Sequence, residues 1–258
     1  MTLSTTYHKT KKFLYASISI LLVILIWYFL AYFINKEYLI PYPLTVLKTL
    51  ISLIKNNDFL PTLSTTLKNC LISFTISFIL ALTFAIISYL STSIEMIIKP
   101  IINILKAIPT ISILLIVLIW LPASQSPILV GSIILFPMMY AAFLSSLKNV
   151  DINLIEMSLI YKVSLKDKIL KLYIPSITSP LLTQSKSCIS LSVKLTIAAE
   201  VLAHTMNSIG IQMQIAKTYI EMDVIFAWTI IAIILSYLLE LLIVLIYKII
   251  ARRKIYGH

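Results

Sequence analysis

Four polar residues recur at every fourth position of one apolar stretch: Cys188, Ser192, Thr196 and Glu200. On a helix that spacing keeps them on one face. A thiol, two hydroxyls and a carboxylate in apolar surroundings have two uses. They can join a neighbouring helix through hydrogen bonds, or they can wall a path along which a polar solute moves. A charge inside a bilayer costs about 2.5–3.5 kcal/mol, so Lys194, Glu200 and Glu240 each need a reason. Lys194 stands six residues before Glu200, about 240° around a straight helix, so the two cannot pair. It requires a carboxylate on another helix, a water-filled path or an anionic solute. Glu240 is expected to pair with a lysine of the same bundle.

Other chemistry is missing. His8, His204 and His258 are scattered, and Cys70 and Cys188 lie in apolar runs without ligand spacing, so neither a metal site nor a disulfide framework is expected. A phosphate-binding loop of the form GxxxxGK[ST] needs two glycines five apart, and the only glycines are Gly131, Gly210 and Gly257. No nucleophile–base set is visible, so the chain reads as having no catalytic residues and as no enzyme.

The elements that must hold these residues are membrane helices. The 258 residues are 60% hydrophobic and 12% charged, which excludes an ordinary soluble domain. One all-α membrane domain, residues 1–258, accounts for the length. After a polar tail, Met1–Lys12, six apolar spans are expected: 13–33, 67–90, 97–121, 128–147, 176–203 and 224–250. Trp27, Tyr28 and Tyr32 stand at the aromatic-belt position of the first. Between the first two spans, Pro43 to Lys55 places Leu44, Leu47, Ile51 and Ile54 on one face, as an interfacial helix does. In the second, Ser73, Ser77, Ala81 and Ala85 form a small-residue stripe that admits a close helix neighbour. Pro100, Pro109 and Pro137 fall inside spans, where they either kink a helix or expose its backbone groups to solute.

The net charge of +11 is distributed unevenly. With both termini inside, 13 of the 21 Lys and Arg residues are cytoplasmic, five are external and three lie in or beside spans. This bias puts the basic loop of about 148–175 inside the cell. Within that loop Asp151 can cap a first helix carrying Ile152, Ile155, Leu159 and Ile160. Ser164 with Asp167 has the form of a capping box for a second, which Pro175 is expected to end.

The order Glu156-Met157-Ser158, Lys162-Val163-Ser164, Ile174-Pro175 resembles the cytoplasmic loop of ABC importer permeases, whose pattern is Glu-Ala-Ala, a Gly, and a later Pro. Here both alanines are replaced and the turn glycine is Lys162. If that turn is left-handed, Lys costs about 1–2 kcal/mol relative to Gly. Further similarities follow in order. Leu39-Ile40-Pro41-Tyr42-Pro43 is similar to a Leu-Pro-x-Pro lead into an outer helix, and Lys106-Ala107-Ile108-Pro109 to a basic-x-apolar-Pro element. Ala198-Ala199-Glu200-Val201 followed by Ser208-Ile209-Gly210 is similar to an Ala-Ala-Glu segment with its glycine turn.

Together these resemble the type I importers of the nitrate/sulfonate/taurine branch, whose members carry nitrate, bicarbonate, sulfonates or thiamine precursors. The resemblance implies a six-helix permease in the bacterial cytoplasmic membrane, working as a dimer with two ABC ATPase subunits and an extracytoplasmic binding protein. ATP and Mg would be held by the ATPase, with no cofactor in this chain and no nucleic acid partner. Ile155, Glu156, Leu159 and Ser164 would meet the ATPase. Ser192, Lys194, Thr196, Glu200 and Pro109 are candidates for the translocation path. The alternative is a channel or secondary transporter that uses no ATPase.

Overall fold

The structure, a computed structural model, describes residues 3–255. His258 and the first two residues of the expected polar tail lie outside the described residues. All regular structure in these residues is helical. They form two compact units, one of residues up to 59 with 212–230, the other of residues 60–211 with those from 231 on.

In the first unit, α1 (Leu3–Ile34) begins within the stretch expected as a polar tail, because nothing there breaks a helix. Its apolar side chains from Leu14 to Ile34 are mostly exposed. Tyr28 and Tyr32 are exposed as belt residues are, but Trp27 turns inward. Its Nε1 donates to the Pro41 carbonyl at 3.0 Å, and its ring stacks on Phe226 at 5.3 Å. That contact fixes the Leu39–Pro43 turn, after which Pro43 opens α2 (Pro43–Lys55) at a position where no N–H is needed. Leu44, Leu47, Ile51 and Ile54 form the exposed apolar face expected of an interfacial helix, while Val46 is buried. Thr49 donates to Asp223 Oδ2 at 2.6 Å.

The second unit is built around two long helix pairs. Helix α3 (Phe59–Leu90) begins eight residues before the expected span, since Pro61 is tolerated in a first turn. Ser73, Ser77, Ala81 and Ala85 are fully buried. They face α6 (Ser126–Lys148), where a Cβ added to Gly131 would lie 2.9 Å from Ser73. Ser77 Oγ donates to the Ser132 carbonyl at 3.1 Å, and Tyr140 donates to Ser88 Oγ at 2.9 Å. Small side chains let the backbones approach, and the hydroxyls then reach across.

The expected third span is not one helix. It is α4 (Thr92–Ala107) and α5 (Thr110–Trp120), bent by 96°. Ile108 is held extended (ψ 128°) by the ring of Pro109, which caps α5 without a side-chain hydrogen bond. Pro100 and Pro137 stay inside α4 and α6. Helix α6 receives α4 and α5 as well as α9 (Ile174–Ala203). The last helix is α11 (Met222–Ile255). Among the described residues four helices are long and apolar enough to cross a membrane, or five with the bent pair. The remaining expected span is α9, which at 30 residues is long enough but carries hydroxyls along one side.

The basic loop contains α7 (Ile152–Ile160), capped by Asp151, which accepts from Asn153 N at 2.9 Å. The helix closes with Val163 N donating to the Ser158 carbonyl at 3.0 Å around Lys162 at φ 51°. Ser164 caps α8 (Leu165–Asp167) as expected, its Oγ accepting from Asp167 N at 3.2 Å, while the Asp167 carboxylate accepts from the Ser164 hydroxyl at 2.8 Å rather than from its amide. The Lys171 ammonium, 2.9 Å away, and the Ser164 hydroxyl hold the Asp167 carboxyl below the usual carboxylate range. Pro175 does not end this segment. A π-helical turn, Lys168–Tyr173, leads directly into α9, with Pro175 in its first turn, where the missing N–H is harmless.

Lys162 therefore occupies a left-handed position without a glycine. Lys162→Gly should stabilise the protein by about 1 kcal/mol, read as a higher thermal-unfolding midpoint in detergent. A lower midpoint would mean that the lysine side chain contributes more than the backbone strain costs.

Candidate functional site

The stripe on α9 lies against α3. Ser192, Thr196 and Glu200 are all fully buried. Thr66 Oγ1 donates to Glu200 Oε2 at 2.8 Å and Asn69 Nδ2 donates to Oε1 at 3.0 Å. Helix α9 ends at Ala203 with His204 in a left-handed conformation, and the chain turns back to start α10 (Ile209–Thr218). The first amides of α10 then meet the same group. Gly210 N donates to Glu200 Oε2 at 3.3 Å, and Ile209 N to Thr66 Oγ1 at 3.0 Å. A carboxylate at a helix N-terminus satisfies orphan donors and faces the positive end of the dipole. Only glycine fits at 210, because a Cβ there would lie 2.4 Å from Glu200 Cβ and 2.6 Å from Val201 N.

The stripe is thus a helix–helix contact in its geometry. Ser192 Oγ donates back to the Ile189 carbonyl at 2.8 Å, and Gln184 Nε2 to Cys188 Sγ at 3.2 Å. Thr196 Oγ1 is buried with no hydrogen-bond partner among the described residues. Lys194 lies on the other side of α9, exposed, and forms no ion pair among the described residues. Glu240 is half-buried and likewise has no ion pair there, so the expected pairing with a lysine is not formed. Pro109 is exposed at the break between α4 and α5.

Of the loop residues, Glu156 and Leu159 are exposed on α7. Ile155, one turn before Leu159, lies at the edge of that face and packs, half-buried, against the core that includes Phe143, Leu147 and Ile177. The Ser164 hydroxyl is occupied by Asp167. Ile152, Leu159 and Ile160 are 62%, 64% and 75% exposed on the Glu156 face. Thr66 and Asn69 were missed in the sequence, being 134 and 131 residues from their partner.

A cavity of about 780 Å³ opens beside α3, α9 and α11, lined by Phe74, Phe78, Leu181 and Ile246, with Lys168 its one charged lining residue. Its apolar walls do not suit a small anion. Among the described residues no group of three His, Cys, Asp or Glu side chains is placed to hold a metal.

If Glu200 joins three helices, its removal is structural in effect. Glu200→Leu leaves Asn69 and Gly210 donors buried and unpaired, and should cost about 3–5 kcal/mol. Gly210→Ala should likewise lower folded yield, whereas Thr196→Val, which removes an unsatisfied hydroxyl, should leave the thermal midpoint equal or higher. Size-exclusion profiles and midpoints of the three variants check this ordering; a Glu200→Leu protein as stable as the parent contradicts it.

The chain is similar to a crystal structure described as an amino acid ABC transporter with histidines, with TM-score 0.61 and 17% identity, covering 79% of this chain and 97% of that one. It is similar also to the MetNI methionine ABC transporter in an inward-facing conformation, with TM-score 0.62 and 17% identity, covering 74% and 95%. At that identity the likeness establishes a shared fold, that of type I importer permeases. No curated protein matches the chain in sequence. The family described as binding-protein-dependent transport system inner membrane component matches residues 73–256, which include α6, the capped loop, and the Glu200–Gly210 contact. With more than half its length in that match, the chain belongs to the family of binding-protein-dependent transport system inner membrane components.

Proposed function

We propose that this permease component works in an ATP-driven importer and that α7 is where a separate ATPase subunit docks. The observation that carries the proposal is the exposed apolar face of α7, formed by Ile152, Leu159 and Ile160 around Glu156. Apolar side chains on a capped, nine-residue helix gain nothing from water. They suit a helix laid into a groove of a partner. Ile155 seats the same helix against a core that includes residues of α6 and α9, so a displacement of α7 would reach them.

On this reading two copies of the chain flank the path, ATP and Mg are bound by the ATPase, and a binding protein delivers solute from outside. The two similar structures are titled as amino acid and methionine transporters, but their 17% identity carries no solute to this chain. The resemblance of its motifs to the nitrate/sulfonate/taurine branch favours a small anion, or a thiamine precursor. Lys194, exposed on the side of α9 away from the buried stripe, and Pro109 at the α4–α5 break are the residues best placed to line the route. The lysine bias favours both termini and α7 on the cytoplasmic side of the bacterial inner membrane.

Glu156→Lys should abolish solute-stimulated ATP hydrolysis and co-purification of the ATPase while leaving the amount of folded permease unchanged. Normal co-purification and uptake in that variant would remove α7 as the docking element, whereas a parent permease that takes up solute with no ATPase attached would favour a channel or secondary transporter. Orientation has its own test. In whole cells an impermeant thiol reagent should label Ser124→Cys and Asn207→Cys and miss Lys166→Cys, native Cys70 and Cys188 being buried. Labelling at 166 from outside would reverse the topology.

A further inference from the structure

A second cavity, of about 410 Å³, lies between α4 and α6 and differs in character from the apolar one. Lys99, Asn103 and Lys106 follow one another at intervals of four and three residues, so they share the face of α4 that lines it. From α6 come Tyr140, Ser145, Lys148 and, just beyond its end, Asn149. The only acidic lining group is Glu95. Its carboxylate is already engaged: Lys148 Nζ donates to both oxygens, at 2.6 and 2.7 Å. Tyr140 is spent on Ser88, and the Asn149 amide donates to Ser145 Oγ at 3.3 Å. Lys99 and Lys106 form no ion pair among the described residues. Two ammonium groups and an amide therefore line one cavity whose only carboxylate is already paired with Lys148. The reverse side of α4 carries Ile97, Ile101 and Ile104, all exposed, so the basic face is set beside surface fit for lipid.

We propose that this cavity binds an oxyanion, a sulfate-, sulfonate- or phosphate-like group, through Lys99, Asn103 and Lys106. The Glu95–Lys148 pair fixes the distance between α4 and α6 and keeps the Glu95 charge from repelling the ligand. Ammonium groups and an amide give charge-assisted hydrogen bonds to tetrahedral oxygens. A free solute anion and the headgroup of an anionic phospholipid share this chemistry, and the basic pocket beside a membrane helix suits either. The site stands on α4 and α6 alone and is independent of docking at α7.

The test is radiolabelled-sulfate binding to the purified permease in phosphatidylcholine nanodiscs, with chloride at matched ionic strength as the control. In parallel, phosphatidylglycerol retained after purification is measured by mass spectrometry. Loss of a charge-assisted hydrogen bond should weaken sulfate binding about ten-fold per lysine in Lys99→Gln and Lys106→Gln. Asn103→Asp, nearly isosteric, should abolish it and serves if the lysine variants fold poorly. Sulfate binding lost in the variants supports a free oxyanion. Phosphatidylglycerol retained by the parent and lost in the variants supports a headgroup. If neither ligand binds, or the variants bind as the parent does, the site does not exist.

Discussion

A buried carboxylate is tolerable only when donors surround it, and Glu200 meets that condition by drawing three helices together. Thr66 and Asn69 supply donors from α3, and the amide of Gly210 supplies one from the start of α10. Each donor constrains the backbone that carries it. Helix α3 must approach α9 closely at its N-terminal turns, and α10 must begin where its amide dipoles point at the carboxylate. The chain has to reverse between Ala203 and Ile209, which it does through left-handed His204 and Asn207. At Gly210 the approach is so close that no side chain fits.

The rest of the second unit repeats the same solution with weaker groups. In a bilayer, apolar side chains gain little by leaving lipid for protein, so packing and hydrogen bonds must join the helices. This explains why the buried face of α3 is built of small and polar residues, Ser, Thr, Ala, Asn and Cys, while Ile, Leu and Phe dominate its other faces. Gly131 against Ser73 and the Ser77–Ser132 bond are the α3–α6 counterparts of the Glu200 contact. The exposed isoleucines and leucines of α1, α3 and α11 are then a lipid-facing coat rather than an unfinished core.

Local signals in the sequence were legible where structure is local. The interfacial helix α2, the Asp151 cap and the Ser164–Asp167 box depend on neighbours within a few residues, and they stand where the spacing puts them. The small-residue stripe was equally clear because its period is that of one helix. The Ala-Ala-Glu and Ser-Ile-Gly elements were visible as a pattern, but their meaning was not: their partners, Thr66 and Asn69, lie in another helix more than a hundred residues away. The broken third span escaped because Pro100 and Pro109 carry the same local signal. Only the second interrupts the helix, and that choice belongs to packing around α6. Pro175 misled for a related reason. A proline ends one helix and begins another equally well.

The mechanical consequence lies in the unlike ends of α9. At one end the Glu200 contact ties the helix to α3 and α10 through charged and backbone groups. At the other, the helix enters through the π-helical turn Lys168–Tyr173, whose wider ladder runs from Ile174 N to the Ile169 carbonyl. Helix α7 joins that yielding end, with Ile155 embedded beside Leu172 and Tyr173 in the shared core. The Glu200 contact thus holds the C-terminal end of α9 by several hydrogen bonds, while its N-terminal end continues from a turn with a wider ladder. Rigid capping of α7 matters here, because a frayed helix would dissipate the displacement before it reached Ile155. On the proposed docking of an ATPase at α7, motion at that end and restraint at the other would suit alternating access.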